Sequence, residues 1–373
     1  MKVLLITSSL DAGGAEKWVR DTVLAMNREG IEFDYYFYED IQNDSFLNDY
    51  KDAGVNLFFR ELNKKTGDSK LNLKHDLTQF IQEHGPYNAA HINGLNLVYQ
   101  FILVNVLHKA QIPVRIVHSH NSLSTYKTLP AKLGKWYLRD QIIHKSTVVG
   151  ACSTQAGVTR YGNKIINNPK FQIIKNGIDL QKYVFNIETR NRIRTELGIG
   201  EQKVYLFIGR MAYPKNTLFL SEIYAAVYKR DPESIFILVG SGQDEEVTHQ
   251  KINELGIGNS TIYVPWTSSP ADYLCAGDVM LLPSLYEGFS FVTLEAQCAG
   301  IPCLVSDRIP REVNISGNVS YKSLNHSSDR WAETAMQLAK TGRYDSIKKI
   351  KDAGYDIRDT AALFRRMLEG KQA

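Results

Sequence analysis

Two carboxylates, Glu287 and Glu295, stand seven residues apart in the stretch Pro283-Ser284-Leu285-Tyr286-Glu287-Gly288-Phe289-Ser290-Phe291-Val292-Thr293-Leu294-Glu295. The apolar run Val279–Leu282 before it reads as a strand, and the residues from Phe291 onward read as a helix. A strand that runs through a glycine-containing turn into a helix presents backbone N–H groups at a helix N-terminus, a favourable place for an anion. A carboxylate beside it suits the vicinal hydroxyls of a ribose or a hexose. An ordinary strand–loop–helix with two surface acids has the same pattern, so these residues by themselves leave the choice open.

A second constellation is Phe207-Ile208-Gly209-Arg210-Met211-Ala212-Tyr213-Pro214-Lys215-Asn216, again between a strand and a helix. Gly209 permits close backbone approach. Arg210 as a fork and Lys215 as a point charge suit a diphosphate, although two solvated cations on a loop are also common. A third is Leu10-Asp11-Ala12-Gly13-Gly14-Ala15-Glu16, directly after the first apolar run. Gly13 and Gly14 suit approach to a phosphate or simply a tight turn. Neither a GxGxxG nor a GxxxxGK[ST] pattern occurs, which weakens dinucleotide and P-loop readings. His118 and His120 close the apolar run that begins at Val114, and alternation places both on one face. The sequence contains no Asp-x-Asp pair for a divalent ion, so Arg210, Lys215 and helix dipoles are expected to take the place of a metal.

The elements that position these groups alternate along the chain. Lys2–Thr7, Phe33–Tyr38, Asn56–Phe59, Ala89–Ile92, Val114–His118 and Thr147–Ala151 read as strands, with helices such as Ala15–Glu29, Leu73–Glu83 and Leu97–Ala110 between them. The rhythm repeats from residue 204, with strands at Val204–Ile208, Ile235–Val239, Thr261–Val264, Val279–Leu282, Pro302–Val305 and Val319–Tyr321. Helices Thr217–Lys229, Asp244–Glu254, Phe291–Ala299 and Asp329–Thr341 lie between these strands. Strand–helix alternation predicts parallel sheets covered on both faces. The expected architecture is therefore α/β, two Rossmann-like doubly wound domains facing across a cleft. The first covers 1–182 and the second 183–356, and a terminal helix near 357–373 is expected to pack back on the first.

A chain of 373 residues, 43% hydrophobic and 23% charged, suits two such domains. The apolar segment Leu95–Leu107 is broken by Asn96, Gln100 and Asn105 and falls short of the roughly 20 apolar residues of a membrane span. Met1–Thr7 reads as a buried strand and not as a leader. Cys152, Cys275, Cys298 and Cys303 form no CxxC or zinc-like spacing and suit free thiols in a reducing compartment.

Taken together and in this order, the motifs resemble the retaining GT-B glycosyltransferases of family 4. The resemblance rests on Gly13-Gly14-Ala15-Glu16, Gly209-Arg210 with Lys215-Asn216, and Glu287-Gly288-Phe289-Ser290 completing E-x7-E at Glu295. Asn176-Gly177-Ile178-Asp179, Leu238-Val239-Gly240-Ser241-Gly242 and Gly277–Ser284 add to it, so that it spans nearly the whole chain. His118-Ser119-His120-Asn121 and the residues around Ser306-Asp307 are most similar to bacterial members that build capsule and exopolysaccharide repeats.

The resemblance implies a metal-independent enzyme that moves a hexose or N-acetylhexosamine from a nucleotide-diphosphate sugar, UDP favoured, to a lipid-linked or glycan acceptor. It implies that Arg210 and Lys215 hold the donor diphosphate, and that Glu287 with the backbone of Gly288, Phe289 and Ser290 holds the sugar and distal phosphate. Glu295 would bind the ribose and Gly14 would close on the phosphates, with His118 or His120 beside the donor sugar. Val264-Pro265 would meet the base, where Trp266 replaces the family's usual small residue and leaves uridine or guanosine open.

Between Asn121 and Gly150 five basic residues (Lys127, Lys132, Lys135, Arg139, Lys145) face one acid, Asp140, for a net +4. With Leu133, Trp136, Tyr137, Leu138 and Ile142 among them, residues 122–145 read either as a contact for an anionic membrane or as a solvated helix with one packed face. The rest of the chain has no basic stripe, so nucleic acid is not an expected partner. The expected location is cytoplasmic, peripheral on the inner face of the plasma membrane. Two other readings share this fold: a UDP-sugar 2-epimerase, and a non-catalytic nucleotide-sugar-binding subunit. The E-x7-E context argues against the first, and the retention of Arg210, Lys215, Glu287 and Glu295 against the second.

Overall fold

The computed structural model describes residues 1–8, 14–39, 46–60, 70–94, 96–120 and 129–371, with side chains described except at 70, 71 and 129–133. The chain divides into two units, Met1–Ile178 with Gly354–Ala373, and Asp179–Ala353.

Among the described residues, the first unit holds a seven-stranded sheet of β1 (Lys2–Thr7), β2 (Glu32–Phe37), β3 (Asn56–Phe59), β4 (Ala89–Asn93), β5 (Val114–Ser119), β6 (Val148–Ala151) and β7 (Phe171–Ile173). Its order is β3-β2-β1-β4-β5-β6-β7 and every pairing is parallel. The second unit holds a six-stranded sheet of β8 (Val204–Ile208), β9 (Ile235–Val239), β10 (Thr261–Val264), β11 (Val279–Leu282), β12 (Cys303–Ser306) and β13 (Val319–Lys322). Its order, β10-β9-β8-β11-β12-β13, is the same winding, also parallel throughout.

Both sheets are therefore doubly wound. The strand order reverses between β1 and β4 and again between β8 and β11. Ligands of such folds bind outside the carboxyl ends of the strands at this reversal. The segment 9–13 follows β1, Arg210 follows β8 and Glu287 follows β11, so the candidate residues flank the two switch points.

The central strands bury both faces, which explains their near-continuous apolar runs. Val204, Tyr205, Leu206 and Phe207 are all essentially inaccessible, as are Val279 to Leu282. The helix Ile357–Leu368 starts at an Asp356 N-cap, whose carboxylate accepts from Arg358 N at 3.0 Å. Ile357, Ala361, Phe364 and Leu368 form its buried stripe. It packs on the first-unit helix Gly14–Ala25, with Phe364 edge-on to Trp18 at 5.2 Å between ring centroids. Its entry is fixed by a bridge between Ile178 and Asp356: Ile178 N donates to Tyr355 O and Ile357 N to Ile178 O, both at 2.9 Å. That bridge binds Ile178 to the first unit, so the division falls between Ile178 and Asp179, slightly before the expected 182.

Candidate functional site

In the second unit, three loops meet at the carboxyl ends of β8, β9 and β11. Lys215 Nζ donates to Glu287 Oε1 at 2.6 Å, and Ser284 Oγ donates to the same oxygen at 3.0 Å. The Lys215 and Glu287 side chains retain 19% and 14% of their accessible surface, so the pair is largely shielded from water. The two loops are bonded backbone to backbone, with Leu285 N donating to Pro214 O at 2.8 Å, and Asn216 Nδ2 reaches Pro283 O at 3.1 Å. Asn216 adopts φ +57°, ψ +47°, a left-handed conformation that asparagine tolerates better than most residues. It thereby turns the chain from the Lys215 loop into the helix Thr217–Tyr228.

Arg210 is exposed on the loop after β8. Gly288 is half-buried, whereas Phe289 and Ser290 are buried just before the helix Phe291–Cys298, where Thr293 Oγ1 donates to Ser290 Oγ at 2.8 Å. Glu295 lies on that helix, only 5% exposed. Val264 ends β10, and its carbonyl accepts from Gly240 N at 2.8 Å. Pro265 and Trp266 follow it and are exposed, and Pro265 has no backbone N–H to donate.

In the first unit, Gly13 lies outside the described residues, and Gly14 is the exposed first residue of the helix Gly14–Ala25. His118 and His120 do share a face, with ring centroids 4.0 Å apart. Both surround Trp18, at 4.5 and 5.6 Å, together with His91 on β4 at 5.6 Å. Asn93 at the end of β4 donates through Nδ2 to Ala15 O at 3.1 Å, which turns its Oδ1 to His120 Nε2 at 2.8 Å. An amide oxygen only accepts, so Nε2 carries the proton and Nδ1 keeps its lone pair. Among the described residues that buried Nδ1 has no hydrogen-bond partner.

Sequence reasoning missed Ser284, Asn93 and His91. Ser284 sits inside the strongest motif. Asn93 and His91 carry no local signal, because the partners of Asn93 lie 27 and 78 residues away.

Burial holds His91 and His120 neutral, pushing each down to about 3, and lowers His118 well below its ordinary value. In the unfolded chain each would take up its proton near pH 6.5. Between about pH 3 and 6.5 the unfolded state thus binds more protons, and stability falls as pH falls, by up to ~1.4 kcal/mol per pH unit for each such histidine. Urea unfolding at pH 7 and pH 5 is expected to show this loss. A His91→Leu variant is expected to show a shallower dependence; an unchanged slope would mean that His91 is not buried neutral.

The basic-aromatic segment is partly the helix Leu129–Lys145. Lys127 lies outside the described residues, as does the side chain of Lys132. Arg139 is committed to the end of a neighbouring helix, donating to Arg160 O at 2.8 Å and Thr159 O at 2.7 Å. Lys145 donates to Asn105 Oδ1. Ile142 is in the core, whereas Trp136 and Tyr137 are 68% and 52% exposed. The helix thus has a packed face and also leaves two large aromatics in solvent. Among the described residues no helix is long and apolar enough to cross a membrane.

Residues 189–356 match the family described as glycosyl transferases group 1. A protein of Bacillus subtilis (strain 168), EpsF, provisionally assigned as a glycosyltransferase, is 28% identical over 364 residues, 95% of this chain and 93% of its own. The UDP-Gal:alpha-D-GlcNAc-diphosphoundecaprenol alpha-1,3-galactosyltransferase of Escherichia coli is 31% identical over 153 residues, 40% of this chain and 38% of its own. Among solved structures, Anabaena HepE in complex with UDP superposes with a TM-score of 0.76 at 18% identity, covering 99% of this chain and 100% of that one. Two doubly wound units, the match over 189–356 and these relatives lead to one assignment: residues 189–356 form a group 1 glycosyl transferase domain, and the protein is a glycosyltransferase of the GT-B fold.

Proposed function

We propose that the protein is a retaining, metal-independent transferase of family 4 type that moves a hexose or N-acetylhexosamine from a UDP-sugar to a lipid-linked or glycan acceptor in bacterial surface glycan synthesis. The observation that carries this reading is the shielded Lys215–Glu287 pair, on the loops after β8 and β11 at the switch point of the second sheet, with Arg210 on the first of those loops. Arg210 and Lys215 supply positive charge for a donor diphosphate and its departing phosphate, the work a divalent ion does in other transferases. Glu287 Oε1 already accepts from Lys215 and Ser284, which suits a carboxylate that holds sugar hydroxyls and not one that attacks carbon. The acceptor oxygen then enters on the leaving-group side, and the departing phosphate helps to take its proton. Glu295 binds the ribose, and His120, neutral and with its Nδ1 lone pair free of a proton, lies on the acceptor side.

UDP in the HepE structure and the diphosphoundecaprenol acceptor of the E. coli relative support these substrate classes. Exposed Trp136 and Tyr137, with Lys135 beside them, support contact with an anionic membrane. The test is transfer of label from UDP-sugars to diphosphate-lipid acceptors in vesicles, with EDTA present. Transfer with retained anomeric configuration, faster on anionic than on neutral vesicles and slowed by Trp136→Ala with Tyr137→Ala, is expected. Restoration only by Mn²⁺, or an inverted product, would reject the corresponding part.

A further inference from the structure

We propose that Gly240 and Gly242 are positioning residues that hold the Arg210 arm of the phosphate clamp in place, an inference that rests on the donor site proposed above. The loops after β8 and β9 continue the pairing of their strands beyond the sheet. Ile208 and Val239 are the last registered pair. Gly209 N then donates to Val239 O at 3.0 Å, Met211 N to Ser241 O at 2.9 Å, and Asp244 N to Met211 O at 2.9 Å. The residues on either side of Arg210 are therefore bonded to the end of β9 and to the glycine loop that follows it, and Gly240 N is bonded in turn to Val264 O of β10.

This closeness requires the absence of side chains. A Cβ on Gly240, at φ +123°, would lie 2.2 Å from Gly209 O. On Gly242 it would lie 2.3 Å from Met211 O and 3.0 Å from Arg210 Cγ. The atoms struck are backbone carbonyls, which cannot rotate away as a side-chain tip can. The segment Gly209–Met211 must move instead and carry Arg210 with it. Because Arg210 itself is exposed, the placement of its backbone sets where its guanidinium reaches. A displacement of about 1 Å in such a group is enough to cost on the order of 10²-fold in rate.

A glycine needed only for a tight turn would weaken everything bound to the unit alike. A glycine that positions Arg210 weakens phosphate binding alone. Calorimetric titration of UDP, GDP, uridine and guanosine into wild type, Arg210→Ala, Gly242→Ala, Gly242→Val and Arg210→Ala/Gly242→Ala separates the two.

Gly242→Ala is expected to raise the nucleoside-diphosphate Kd about tenfold, the loss of a few tenths of an ångström to 1 Å in the clamp. Gly242→Val is expected to raise it further. Nucleoside affinity is expected to stay unchanged, and the double variant to bind no more weakly than Arg210→Ala. Met211→Gly, which loosens the same segment without a clash, gives the same selective loss if a Gly242 variant does not fold. Equal losses for diphosphate and nucleoside, an unchanged diphosphate Kd, or additive losses in the double variant would overturn the positioning role. Wild type that binds neither diphosphate, or binds it independently of Arg210, would instead overturn the donor site itself.

Discussion

Arg210→Ala is expected to lower turnover by about 10²-fold or more while leaving the protein folded. Preorganised donors and charges aimed at a developing negative charge typically carry losses of that size when removed. Arg210 stands exposed on the loop after β8, where substitution away from packed groups usually changes stability by no more than about 0.5 kcal/mol. Steady-state kinetics with varied donor, together with a thermal melt, checks both halves. A variant with near-normal turnover would remove Arg210 from the clamp.

The Lys215–Glu287 pair gives the second large effect, and it separates structure from catalysis. Both side chains are mostly shielded, and Glu287 Oε1 accepts from Lys215 and Ser284. Lys215→Ala leaves a partly buried carboxylate without its cation, so it is expected to cost roughly 1–3 kcal/mol in stability. Removing Glu287 as well lifts that penalty, so the double variant Lys215→Ala/Glu287→Ala is expected to be more stable than Lys215→Ala alone. Couplings within such pairs run to about 0.5–3 kcal/mol. Turnover behaves differently. Each single variant is expected to lose about 10²-fold or more, and the double variant is not expected to recover, because donor phosphate and sugar need both groups. Recovery of turnover together with stability would show that the pair only holds the loops together.

Sequence alone determined the repeating plan of this protein. Runs such as Val204–Ile208 and Val279–Leu282 are apolar because strands of a parallel sheet are buried on both faces, and that pattern is local. It also marked the loops after β8 and β11 as candidates, because glycine, proline and paired charges between a strand and a helix mark a turn at the sheet's carboxyl edge. The sequence placed Arg210, Lys215 and Glu287 at that edge for this reason, with Glu295 on the helix that follows, whereas the left-handed turn at Asn216 had no sequence signal of its own.

Only the tertiary structure decided the rest. The three residues of β7, Phe171–Ile173, are too short to show a period and become a strand by pairing with β6. Trp18, His91, His118, His120 and Phe364 come from three separate elements and the helix at the end of the chain, and only folding makes them one buried cluster. Arg139 and Lys145 look like free surface charge in the sequence, yet their hydrogen bonds are spent on Arg160, Thr159 and Asn105. The glycines at 240 and 242 read as a turn, and their contact with the Arg210 segment exists only because β8 and β9 are neighbours in the sheet. Spacing along the chain reports which face a residue shares with its near neighbours. It carries no record of which distant segment will be packed against that face, and that pairing fixes protonation, charge partners and reach.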